Sequence, residues 1–66
     1  MSIESKFSNE VSVKRKIKGL TQEQLAEKME VSPRWIQCVE RGNILPGAHL
    51  MVRLSQFLDI DIRRLF

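Results

Sequence analysis

Residues 19–42, GLTQEQLAEKMEVSPRWIQCVERG, contain two helix starts that obey the same local rule, with only three residues between the helices they open. Thr21 stands at an N-cap position and Gln24 follows three residues later. In that pairing each side chain satisfies a backbone N–H that the first helical turn leaves free. Leu20 and Leu25 flank the cap at the N′ and N4 positions and form an apolar staple. Ser32 repeats the cap, Val31 and Ile36 repeat the staple, and Pro33 takes the first helical position, where its missing N–H is not needed. A third copy closes the chain, with Asp61 as cap and Ile60 and Leu65 as staple. The link MEV is so short that the first two helices must form a bent pair, which excludes an extended hairpin. Such a turn requires a residue with positive φ. Glu30 occupies it, where a side chain costs roughly 1–2 kcal/mol relative to glycine.

The other helices follow from periodicity. Helix 1 is predicted from about Phe7 to Ile17, with Phe7, Val11 and the aliphatic stem of Lys14 turned inward and Gly19 as its C-cap; residues 1–5 read as a flexible arm before a domain spanning 6–66. Helix 4 is predicted to start after Pro46, capped by Gly47 or the preceding loop. Ala48, Met51, Val52, Ser55 and Leu58 recur at helical spacing and give its buried stripe. The last helix runs from Asp61 to about Phe66. The fold class is all-α, with five helices and no strand or repeat.

At 66 residues, 42% hydrophobic and 29% charged, the chain suits one small globular domain near the lower limit for a self-sufficient core. No apolar run approaches the roughly 20 residues of a membrane span, and the start lacks the plan of a signal peptide. One cysteine cannot form an intrachain disulfide, so the expected location is the cytoplasm. Cys38 and His49 do not supply metal-ligand spacing, and no metal or other cofactor is expected. The net charge is +3, concentrated at the start: residues 1–20 carry five basic and two acidic groups, with KRKIK at 14–18. A basic patch of this size suits a DNA backbone and equally a solvated surface.

The second helix of the pair has Ile36 and Val39 facing inward and Arg34, Gln37 and Cys38 facing outward, the arrangement by which two packed helices present side chains to the DNA major groove. Residues 15–66 resemble the helix-turn-helix domain of the phage repressor and Cro superfamily, the Xre-like proteins. The resemblance rests on GLTQEQLAEKM, on VSPRWI with Val39, on ERG at 40–42, on Pro46 and on the apolar ladder ending LDIDIRRLF, which together cover about three quarters of the chain. It implies a transcription regulator, a repressor more than an activator, acting on double-stranded DNA. Pro33, Arg34, Gln37 and Cys38 then form the base-facing group, and Gln22, Ser32, Trp35, Arg41 and Asn43 follow the backbone. Arg34 has the chemistry to bond guanine O6 and N7 together, worth roughly 1–3 kcal/mol of discrimination, or to meet phosphate alone. Gln37 has the matching chemistry for adenine or faces water. Pro33 departs from relatives with a hydrogen-bonding side chain there and offers only apolar contact. Cys38 is a weak donor or a small filler. Trp35 either directs its indole N–H to phosphate or packs against helix 2. The resemblance also implies a structural ion pair between Arg15 and Glu40.

Helix 4 has a second apolar line, Leu50, Leu54 and Phe57, on a different side from its stripe. This line either flanks the core beneath the last helix or, with Ile62 and Phe66, forms the seam of a homodimer, which in this family binds a pseudo-palindromic operator. The competing reading is a protein-interaction module, antitoxin-like, that uses the same face. An enzyme is not expected: His49 has no nucleophile at an argued distance, and no phosphate loop or carboxylate pair is present. No small-molecule ligand or membrane partner is evident.

Overall fold

The computed structural model describes residues 2–65. Among them are four α-helices and one 3₁₀ turn, with no strand. α1 spans Ile3–Ile17, α2 Gln22–Met29, α3 Pro33–Glu40 and α4 Ala48–Leu58, and the 3₁₀ turn is Ile62–Leu65. The all-α class holds, with the fifth expected helix reduced to that turn. Its bonding explains the difference: the Asp61 carbonyl accepts from the Arg64 N–H three residues on, at 3.1 Å. That is the 3₁₀ spacing. The Asp61 carboxylate caps the turn by accepting the Arg63 N–H at 3.1 Å.

α1 begins four residues earlier than the periodicity indicated, so residues 3–5 of the expected arm are helical. Ser2 is the cause. Its Oγ accepts the Ser5 N–H at 3.1 Å, and this N-cap extends the helix past Phe7. α2 and α3 start where their caps lie. Thr21 Oγ1 accepts the Gln24 N–H at 3.0 Å while Gln24 Oε1 accepts the Thr21 N–H at 2.8 Å. Ser32 Oγ accepts the Trp35 N–H at 3.1 Å, with Pro33 as the first helical residue.

All four helices end in the same way. A residue with positive φ breaks the helix, and the next N–H reaches back five residues, the Schellman arrangement. Gly19 lets Leu20 bond the Arg15 carbonyl at 3.1 Å, and Gly42 lets Asn43 bond that of Cys38 at 3.0 Å. Glu30 (φ 59°) does this for Val31 and Ala26 at 3.0 Å, and Asp59 (φ 60°) for Ile60 and Ser55 at 2.8 Å. The left-handed turn expected at Glu30 is therefore present.

Phe7 and Val11 of α1, Leu25 of α2, Ile36 and Val39 of α3, and Leu54 and Leu58 of α4 meet in one core. Each large apolar side chain buried there contributes about 1.5–3 kcal/mol. α4 sits in a different register from the one predicted. Its buried residues are Met51, Leu54, Ser55 and Leu58, while Ala48 and Val52 are exposed. Leu54 is 0% exposed and belongs to the core, so it is withdrawn from the expected dimer seam. Leu50, Phe57 and Ile62 are half-buried, the last two packed against the core, and Phe66 lies outside the described residues. No described helix is long and apolar enough to cross a membrane.

Candidate nucleic-acid interface

The α2–α3 pair owes its angle to a chain of three local events. α2 stops at Met29, Glu30 turns left-handed, and Val31 packs against the core, which brings Ser32 to the start of α3. With only residues 30–32 between them, the helices cannot drift apart. α3 then buries Ile36 and Val39 completely, each 0% exposed, and this fixes its rotation about its own axis.

A second lock holds the far end of α3. Arg15 of α1 donates from Nε to Glu40 Oε2 at 2.7 Å and from its second terminal nitrogen to Oε1 at 3.1 Å, the bidentate geometry in which Arg–carboxylate pairs are strongest. Its remaining terminal nitrogen donates to the Leu20 carbonyl at 2.7 Å. The amide of Gln22, the first residue of α2, donates to Glu40 Oε1 at 3.2 Å. Both charged side chains are nearly out of solvent, at 11% and 7% exposure. The Arg15–Glu40 pair thus ties four segments together: α1 and α2 donate to the α3 carboxylate, and the α1–α2 link accepts from the Arg15 guanidinium. The Gln22–Glu40 bond was not anticipated from sequence. The sequence holds no local signal for it, because the two residues meet only once α1, α2 and α3 are packed around Arg15.

With the inner face fixed, the outer face of α3 is determined. Arg34, Cys38 and Arg41 recur at i, i+4 and i+7 along it, with Gln37 at one edge and Trp35 at the other. Pro33, Arg34 and Arg41 are exposed and Gln37 and Cys38 are half-buried. Ser32 and Asn43 are also exposed, one at each end of the helix. Trp35 is half-buried against the core, in line with the packing alternative for that residue. Gln22 is half-buried and already engaged with Glu40, so of its two amide hydrogens one is left to donate to a phosphate. Of the nine residues named for this surface, Pro33, Arg34, Gln37, Cys38 and Arg41 share one helix face. Ser32 and Asn43 bracket it, and Gln22 and Trp35 sit at its margins.

Lys18 and Phe57 form a further cluster that the sequence did not reveal. Lys18 Nζ lies 3.5 Å from Asp59 Oδ2 and 5.6 Å from the centre of the Phe57 ring, so the end of α1 covers part of a side chain assigned above to an interface.

Comparison with known proteins bears on this geometry. The helix-turn-helix family profile matches residues 13–65, which takes in the last third of α1 and every later element. An uncharacterised helix-turn-helix-type transcriptional regulator of Methanocaldococcus jannaschii is 33% identical over 60 residues, covering 91% of this chain and 91% of its own length. No solved structure shows a significant match. A profile match over most of the chain, joined to the bent α2–α3 pair and its exposed outer face, makes this protein a member of the Xre-like helix-turn-helix family.

Proposed function

We propose that this chain is a sequence-specific regulator of transcription that binds double-stranded DNA, acting as a homodimeric repressor on a pseudo-palindromic operator with α3 in the major groove. One observation carries the reading: α3 offers two exposed guanidinium groups, Arg34 and Arg41, on a face whose orientation is set from behind by Ile36, Val39 and the Glu40 clamp. A major groove about 12 Å wide admits a helix presented in this way. Arg34 is the chief base reader, pairing with guanine O6 and N7. Gln37 has the donor–acceptor pair that adenine requires, while Pro33 and Cys38 add apolar and weakly polar contact. Ser32, Arg41 and Asn43 follow the phosphates at either end of α3, with Gln22 and the edge of Trp35 assisting. The regulatory role named for the archaeal relative supports the same reading.

Dimer geometry limits the contact between copies. Two α3 helices reading one operator lie about 34–36 Å apart, and the longest Cα extent of the domain is 28 Å. In such a dimer the contact between copies therefore lies outside α3. Leu50, Phe57 and Ile62 are candidates for it, since each retains some exposure. This reading requires no cofactor and no catalytic step, and it fits the cytoplasm as the site of action.

The test is selection from a random duplex library at physiological salt. A two-fold symmetric motif with half-sites one helical turn apart is the expected result, and Arg34→Ala should relax the choice at one base pair of each half-site. A single unrepeated half-site would remove the dimer. No enrichment, with binding left at the non-specific level of roughly 10⁻⁴–10⁻⁶ M, would remove the reading altogether.

A further inference from the structure

The back of α1 carries apolar surface that neither the core nor the α3 face uses. Val13 and Ile17 are 44% and 72% exposed, side chains that an isolated domain gains nothing by leaving in water. Each lies two residues from Arg15, which is about 200° round a helix of 3.6 residues per turn. Arg15 points at Glu40 on α3, so both side chains point away from α3. Lys6, Glu10, Val13 and Ile17 recur at i, i+4, i+7 and i+11 and make one stripe along the helix. At its N-terminal end the stripe runs into a groove of about 220 Å³ lined by Lys6, Asn9, Glu10, Arg64 and Leu65.

The surroundings of this stripe are basic. Lys6, Lys16 and Arg64 are exposed and Lys14 is half-buried, and none of them takes part in an ion pair among the described residues. Glu10 is the one acid among the described side chains of α1. An apolar pair at i and i+4 within a basic rim complements a helix with its own apolar stripe flanked by carboxylates.

We propose that this stripe docks an acidic amphipathic helix of a partner protein, on the side of the molecule turned away from α3. A second copy of the chain is disfavoured by charge, because it would set the same basic rim against itself with Glu10 alone to offset it among the described side chains of α1. DNA is disfavoured by Ile17, the most exposed large apolar side chain described, which a phosphate backbone cannot use. Docking at this stripe leaves the α3 face uncovered, so a partner and a duplex can be held together. The inference rests on α1 and its neighbours and stands whether or not α3 reads a sequence.

A labelled synthetic helix with leucine along one face and glutamate elsewhere serves as the probe, followed by fluorescence anisotropy against the full chain. Its counterpart with every glutamate replaced by lysine is the control. Saturable binding of the acidic peptide alone is expected, weakened about tenfold or more by Ile17→Glu and severalfold by Lys16→Glu. Ile17→Glu changes an uncharged side chain turned away from α3 and should leave the fold and duplex binding intact, so it separates the stripe from the α3 face. Equal binding of the two peptides, no saturable binding, or indifference to Ile17→Glu would overturn the proposal. So would a wild-type dimer that Ile17→Glu converts to monomer in sedimentation, since the stripe would then belong to a second copy.

Discussion

Two of the four helix exits are closed by glycine and two by an acidic residue, although all four adopt the same backbone. Gly19 and Gly42 enter the left-handed region at φ 72° and 77° without strain. Glu30 and Asp59 enter it at φ 59° and 60° with a Cβ that opposes it. The bonds that close the turns are alike, at 2.8–3.1 Å, so the difference lies in local backbone energy and not in the capping pattern. The bent α2–α3 pair, the part of the molecule with the candidate interface, is therefore joined by one of the two strained exits. The cost of that turn is offset by what it brings together, the buried Ile36 and Val39 and the clamp on Glu40.

The largest expected effect tests that division of labour. Glu40→Ala should destabilise the fold by about 3–5 kcal/mol, because it leaves the nearly buried Arg15 charge with only a carbonyl partner. Urea unfolding measures this, and a loss below 1 kcal/mol would mean that the turns alone hold α3. Next, Gly42→Ala should cost about 1–2 kcal/mol through φ alone, since the added methyl would meet Ser8 Oγ at 3.6 Å, an ordinary contact. The reverse change, Glu30→Gly, should stabilise by about 1 kcal/mol, a rise of several degrees in melting temperature for a domain of this size. Asp59→Gly should gain about half as much, because aspartate tolerates the left-handed region better and its carboxylate lies near Lys18. Equal gains at the two sites would show that side-chain type does not matter to these exits.

The smallest effect concerns the turn that follows Asp59. Hydrogen bonding from Arg63 holds the Asp61 carboxyl below its ordinary value against a smaller opposing contribution from desolvation. A depressed folded-state value means that the ionised cap supports the 3₁₀ turn fully above the ordinary carboxylate range. That support is lost as pH falls through the lower folded-state value. Chemical shifts of the Arg63 amide followed through acid titration should report this step, and Arg63→Ala should move it upward.

The parts legible in sequence were those decided within four or five residues. Thr21 with Gln24, Ser32 with Pro33, and the left-handed demand at Glu30 are all local, and all occur where the sequence puts them. The register of α4 was not local. Met51, Ser55 and Leu58 lie on both the predicted and the observed stripe, and apolar residues flank them on either side. Periodicity cannot choose between Val52 and Leu54 in such a helix. Packing against α1 does, and it takes the larger side chain. The start of α1 was missed because Ser2 and Ser5 are as typical of loops as of caps, and only the bond between them decides. At the candidate interface the outward residues of α3 could be named from its caps and period. The Gln22–Glu40 bond joins residues 18 apart in the chain and depends on three helices already being assembled.

The Glu40 clamp has a practical consequence. It fastens α3 through its inner side and its last turn, and none of residues 33, 34, 37 and 38 takes a side-chain part in it. Those four positions are thus free to be rewritten together, as a cassette, without renegotiating how the helix is mounted. A foreign set of side chains transplanted there would inherit the same bearing and reach as the native one.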